Sequence, residues 1–119
     1  PDRTQINPAA FSMLLARISL IDVVRWPLRF RFCLLGERIK AYHGNDLTAC
    51  WLDEAFPHFN STNTPADFAV VAERGVPSYR LGAPLMTYEK AFYQMRRVFL
   101  PFRNSGLSVE VILAYTIFR

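Results

Sequence analysis

The sequence predicts an α+β domain, an antiparallel sheet with short helices packed on one face. β-rich runs near the two ends of the chain, 18–35 and 79–118, enclose a helical middle. The last run carries Val109, Val111, Leu113, Tyr115 and Ile117 at one parity and Ile112, Ala114 and Phe118 at the other. From Val109 to Phe118 only Glu110 and Thr116 are polar. A strand apolar on both sides belongs in the middle of a sheet covered on both faces. The 119 residues are 51% hydrophobic and 14% aromatic, enough for a packed core in a single domain and unlike a disordered chain.

The elements follow in order. Asn7-Pro8 opens a helix. The Asn7 side chain can accept from an orphan backbone N–H, and Pro8 sits where its missing donor costs nothing. Phe11, Leu14, Leu15 and Ile18 follow at near-helical spacing, so residues 1–17 form an N-terminal capping helix and 18–119 the main domain. Ile18–Val24 is β-branched and reads as a strand, broken at Trp26-Pro27. In Arg29–Leu35, Phe30, Phe32 and Leu34 alternate with Arg29, Arg31 and Cys33, which makes the second strand of a hairpin. Gly36 ends it.

Glu37–His43 is a short helix stopped by Gly44-Asn45, and Asp46 or Thr48 caps a further helical piece, Ala49–Phe56. His58–Asn63 is a polar loop. Thr64-Pro65-Ala66-Asp67 starts a helix whose buried stripe is Phe68, Val71 and Ala72, and Gly75 with Pro77 ends it. Tyr79–Met86 carries Gly82 and Pro84, which demote it to an edge or bulged strand, and Tyr88–Ala91 is a loop. Tyr93–Phe102 and Leu107–Phe118 flank Arg103-Asn104-Ser105-Gly106, a hairpin turn.

Charge and cysteine usage exclude several classes. The net charge is +4, and the basic residues are scattered from Arg3 to Arg119 rather than gathered in a stripe, so no nucleic-acid partner is expected. Cys33 and Cys50 cannot make a disulfide framework and read as reduced cytoplasmic thiols. No run approaches the ~18 apolar residues of a spanning helix, so no membrane partner is expected either.

The order of several short pieces carries a family likeness. They are Phe30-Arg31-Phe32-Cys33-Leu34-Leu35-Gly36, Arg38-Ile39, Gly44, Asp46-Leu47-Thr48, Gly75-Val76-Pro77, and Leu100-Pro101-Phe102 leading to Gly106. Together, over Ile18–Phe118, they resemble a PAS domain, and within it the compact single-domain group common in α-proteobacteria. The sequence departs from that group at Ala49, where Gly is frequent, and at Arg103-Asn104-Ser105, where an acid is frequent. The resemblance implies a five-stranded antiparallel sheet in order 2-1-5-4-3 and a cavity between sheet and helices. It also implies sensing or protein–protein signalling, often through a dimer.

On that fold, Phe30, Phe32, Tyr42, Trp51, Phe68, Tyr79 and Tyr115 are expected to converge on the helix side of the sheet, with Ile39, Val71 and Val98 beside them. Plain core explains such a set most simply; its functional reading is a small apolar cavity with a few polar tips. Ile112, Ala114 and Phe118 would then lie on the opposite face and, with Phe11 and Leu15 of the first helix, form a homodimer interface.

Cofactor chemistry finds little support. Haem-binding PAS domains use a His on the long helix, here 65–74, which has none; His43 and His58 lie elsewhere. The flavin-adduct motif, a Cys beside Asn and Arg at the start of that helix, is absent. No Cys/His cluster has metal-ligand spacing, and there is no G-x-S-x-G or phosphate loop. The acids are explained as caps and solvated positions, and Arg96-Arg97 as exposed snorkelling side chains, with Arg29, Arg31 and Arg103 as candidate extensions of a basic patch.

The expected role is therefore a stand-alone, non-enzymatic sensory or interaction module in the bacterial cytoplasm. It would bind a small apolar ligand, form a homodimer and pass its signal to a partner protein. Two alternatives stand beside it. One is a small cavity enzyme, which requires a buried carboxylate or His with a shifted pKa; the other is a basic nucleic-acid binder.

Overall fold

The computed structural model describes residues 8–56, 59–82, 94–103, 106 and 108–119, with the side chain of Ser61 left aside. Helix α1 spans Pro8–Leu15 and leads into the hairpin β1 (Ile18–Val24) and β2 (Arg29–Leu35). Helices α2 (Glu37–His43), α3 (Leu52–Ala55) and α4 (Thr64–Arg74) follow, with a 3-10 turn at Phe59–Ser61. Strands β3 (Ser78–Gly82), β4 (Met95–Phe102) and β5 (Val111–Phe118) close the chain. The five strands form one antiparallel sheet in order β2-β1-β5-β4-β3, with β5 central, as expected. The expected turn at 103–106, the far end of Tyr79–Met86, the loop at Tyr88–Ala91, and His58 fall wholly or partly outside the described residues.

Two glycines do local work. A Cβ on Gly36 would run into the carbonyl oxygens of Leu15 and Ala16, because the β2–α2 turn lies directly on the α1–β1 turn. There Gly36 N–H donates to Ile18 O at 2.8 Å and Arg38 N–H to Ala16 O at 2.9 Å. Gly75 takes φ 66° and donates to Val71 O at 3.0 Å, the left-handed end that releases α4 into β3.

Three expectations are corrected. Helix α1 ends at Leu15 and buries none of its residues, so it does not cap the sheet. The piece expected as helix over Ala49–Phe56 is helical only at Leu52–Ala55. Its start instead joins the edge of β2: Ala49 N–H donates to Phe32 O at 2.7 Å, Phe32 N–H to Cys50 O at 3.0 Å, and Trp51 bridges Arg31. Ala49 sits at φ 71°, a left-handed position that explains why Gly is at home there.

The third correction concerns which way β5 faces. The alternation is as read, but its two sides are exchanged. Ile112, Ala114 and Phe118 are buried against the helices, with Ile112 0% exposed, and so cannot form an outer interface. Tyr115 shares the opposite face with Val98 and Tyr79, and Tyr79 is 60% exposed. A strand apolar on both sides does not reveal which side the helices take. The register does: Ala114 pairs with Ser19 and Phe99, and Ile112 with Ile21, all on the inner face.

The outer face is a set of apolar rows running across the strands. One row is Tyr79, Val98, Tyr115 and Ile18; the next is Leu100, Leu113, Leu20 and Leu34. The inner face carries the core, where Phe68 of α4 lies over Phe99 of β4 with ring centroids 4.2 Å apart and planes 16° from parallel.

Candidate ligand cavity

Between the inner face of the sheet and the helices is a cavity of about 50 Å³. One water needs about 10–15 Å³, so this space holds a few waters or a small organic group. Its floor is Ser19 and Ile21 of β1, Phe32 of β2, Met95, Arg97 and Phe99 of β4, and Ala114, Thr116 and Phe118 of β5. Its roof is Ile39 and His43 of α2, Leu52 of α3 with Phe56, and Thr64 and Phe68 of α4. The strand contributions come from alternate residues, the period-two geometry that places one parity on one face.

Apolar side chains make most of the wall, and its polar members are specific. Ser19, Thr64 and Arg97 are buried polar residues. His43, at the C-terminal end of α2, lies beside Phe32 and Phe56 at centroid distances of 5.7 and 5.3 Å. Burial pushes its pKa down to about 4, so the imidazole is neutral at pH 7. Arg97 is ion-paired with Asp67 of α4 and lies over the Phe99 ring, 3.9 Å from its centroid. A desolvated charge needs such a partner, because unpaired burial costs several kcal/mol.

Of the ten cavity candidates, Phe32, Ile39 and Phe68 line the space. Phe30 and Val71 are buried core behind it. Tyr42 packs edge-on against Phe118 at 4.7 Å, and its hydroxyl accepts from Arg17 Nη1 at 3.3 Å. Trp51 lies at the β2 edge under the guanidinium groups of Arg29 and Arg31, 4.1 and 5.3 Å from its ring centroid. Tyr79, Val98 and Tyr115 are on the outer face. Of the interface candidates, Ala114 and Phe118 line the cavity, Ile112 is core, and Phe11 and Leu15 are exposed on α1.

Sequence reasoning passed over Arg97, which it placed in an exposed pair with Arg96. A signal was present: Arg97 shares its parity with Met95 and Phe99, both buried. Asp67 in the first turn of α4 supplies the partner, a link across 30 positions that local pattern does not reveal. The other basic candidates do not join into a patch. Arg29 donates to both oxygens of Asp53 at 3.0 and 2.7 Å, which holds that carboxyl below its usual range, and Arg31 pairs with Asp22 at 3.4 Å. Cys33 is exposed and Cys50 half-buried, both free thiols. Among the described residues no group of three or more His, Cys, Asp or Glu is placed to hold a metal ion, and no helix is long and apolar enough to cross a membrane.

A family model described as a PAS domain matches residues 1–115. No curated protein matches the sequence.

Proposed function

The chain belongs to the PAS domain family, and we propose that it is a sensory and protein-interaction module that takes a small ligand between sheet and helices. The observation that carries this is the cavity itself, mostly apolar with buried hydroxyls, an arginine and a neutral imidazole at its wall. Such a composition suits a compact organic ligand oriented by a few polar contacts. A space of about 50 Å³ suits a compact ligand better than a haem or a flavin ring system. The free thiol of Cys33 on the surface suits a reducing compartment, so we place the protein in the cytoplasm.

Benzene is the first probe. Titrated into isotopically labelled protein, it is expected to shift the amide resonances of Ile39, Ala114 and Thr116. Filling the cavity by Ala114→Leu should abolish those shifts. No perturbation by saturating benzene or by the smaller apolar probe xenon would sink the reading.

The module signals as a homodimer, and the surface that supports this is the outer face of the sheet. Its apolar rows end in exposed Tyr79 and Leu34, and α1, which precedes β1 in the chain, exposes Phe11, Met13, Leu14 and Leu15. Contiguous apolar surface of this kind marks an interface. Sedimentation at tens of micromolar should give the mass of a dimer, and Leu113→Asp, placed on the outer face, should give that of a monomer. A wild-type protein that sediments as a monomer would overturn the dimer.

One observation favours catalysis as a second reading: His43 is a buried imidazole with a shifted pKa, the feature a cavity enzyme requires. With a pKa of about 4 it is a weak base, and among the described residues no carboxylate lines the space with it. We therefore assign binding rather than turnover. Arg29, Arg31 and Arg97 each face a carboxylate, an arrangement that favours structural roles over a nucleic-acid surface.

A further inference from the structure

We infer that the ligand is a small monocarboxylate, with its apolar body among the phenyl rings and its anionic head at the β4 side of the cavity, beside Arg97. This rests on the cavity-binding reading above. The first support is the character of the wall. Its polar members are Ser19, Thr64, Thr116, His43 and Arg97, and among the described residues no carboxylate lines it. A guanidinium donates and never accepts, so it selects for an acceptor group and, as a cation, for an anionic one.

The second support is the orientation of the ion pair. The side chain of Arg97 is 4% exposed and that of Asp67 29%. The carboxylate stands at the water's edge and the guanidinium in the interior. The pair therefore presents its positive end to the cavity, where low dielectric strengthens every electrostatic contact.

The third support is Arg80. It stands directly opposite Arg97 in the β3–β4 register, and Thr116 stands opposite Arg97 on the other side, in β5. Nε of Arg80 is buried and has no hydrogen-bond partner among the described residues. Like charges directly opposite on neighbouring strands repel. An anion entering there is attracted by both guanidinium groups, which stand on neighbouring strands; a neutral ligand of the same shape is not. The size is set by the volume, about 50 Å³, which corresponds to a molecule of on the order of five heavy atoms.

Isobutyrate and its neutral isostere isobutyramide separate charge from shape. In amide-shift titrations at pH 7, isobutyrate is expected to bind at least tenfold more tightly than isobutyramide. Arg97→Met should remove that preference. Because this variant also strips Asp67 of its partner and can unfold, Arg80→Met is the second variant; it leaves the Arg97–Asp67 pair in place. It should weaken isobutyrate several-fold and leave isobutyramide unchanged. Equal affinity for acid and amide, with benzene still entering, would overturn the carboxylate and leave the cavity reading standing. Failure of benzene, xenon, acid and amide alike would overturn both. An acid preference untouched by Arg80→Met in the folded protein would overturn the charge argument.

Discussion

Phe68→Ala is expected to destabilise the protein by about 3–5 kcal/mol, read as a fall in the denaturant midpoint with little change in slope. Phe68 is 3% exposed on α4 and joins three elements through its ring. It is stacked on Phe99 of β4 at 4.2 Å, tilted against Phe30 of β2 at 5.0 Å, and tilted against Phe59 of the 3-10 turn at 6.4 Å. Truncation loses the transfer energy of the ring and leaves a void that close-packed neighbours refill only in part. The void opens into the existing cavity, because Phe68 forms part of its wall. Benzene should then restore part of the loss: at tenfold over its dissociation constant, linkage returns about 1.4 kcal/mol. A loss of less than about 1 kcal/mol, or a loss that benzene leaves unchanged, would show that the ring does not close this space.

The strands were legible because their patterns are local. Ile18–Val24 and Arg29–Leu35 stand where β-branching, alternation and the Trp26-Pro27 break place them, and the central position of β5 follows from its two apolar sides. The same two-sidedness hid the cavity. Period two assigns Ala114 and Tyr115 to opposite faces and cannot say which face α4 covers. Size alone favours the larger aromatic, Tyr115, as the cavity residue. Instead the smaller side chains, Ala114 and Thr116, lie under the helices, and their size is what leaves space there. Phe59 reads as part of a polar loop, since a lone aromatic among polar neighbours carries no periodicity, yet it is core. Arg97 was lost to a general rule, that arginines in strands are exposed, which its pairing with Asp67 overrides.

Stability should fall by about 3 kcal/mol as pH drops from above 6.5 to about 4, through His43 alone. Burial depresses its pKa from 6.5 to about 4, a difference of 2.5 units. Between those values the unfolded chain binds a proton that the folded one does not. Stability therefore rises with pH across this window. The contribution is fully present above 6.5, is lost progressively as pH falls, and levels off below about 4. The cause is local: protonation would place a cation between Phe32 and Phe56, in the cavity that already holds the guanidinium of Arg97. Unfolding free energies measured from pH 7 to 4 should show the slope, and His43→Leu should flatten most of it while keeping an apolar wall. Carboxylate pairs such as Arg29–Asp53 lose their contribution at the lower end of this range and below, so the interval from pH 6.5 to 5 isolates the imidazole. A wild-type profile that is flat there, or one that His43→Leu leaves unaltered, would place His43 in contact with water and remove it from the ligand site.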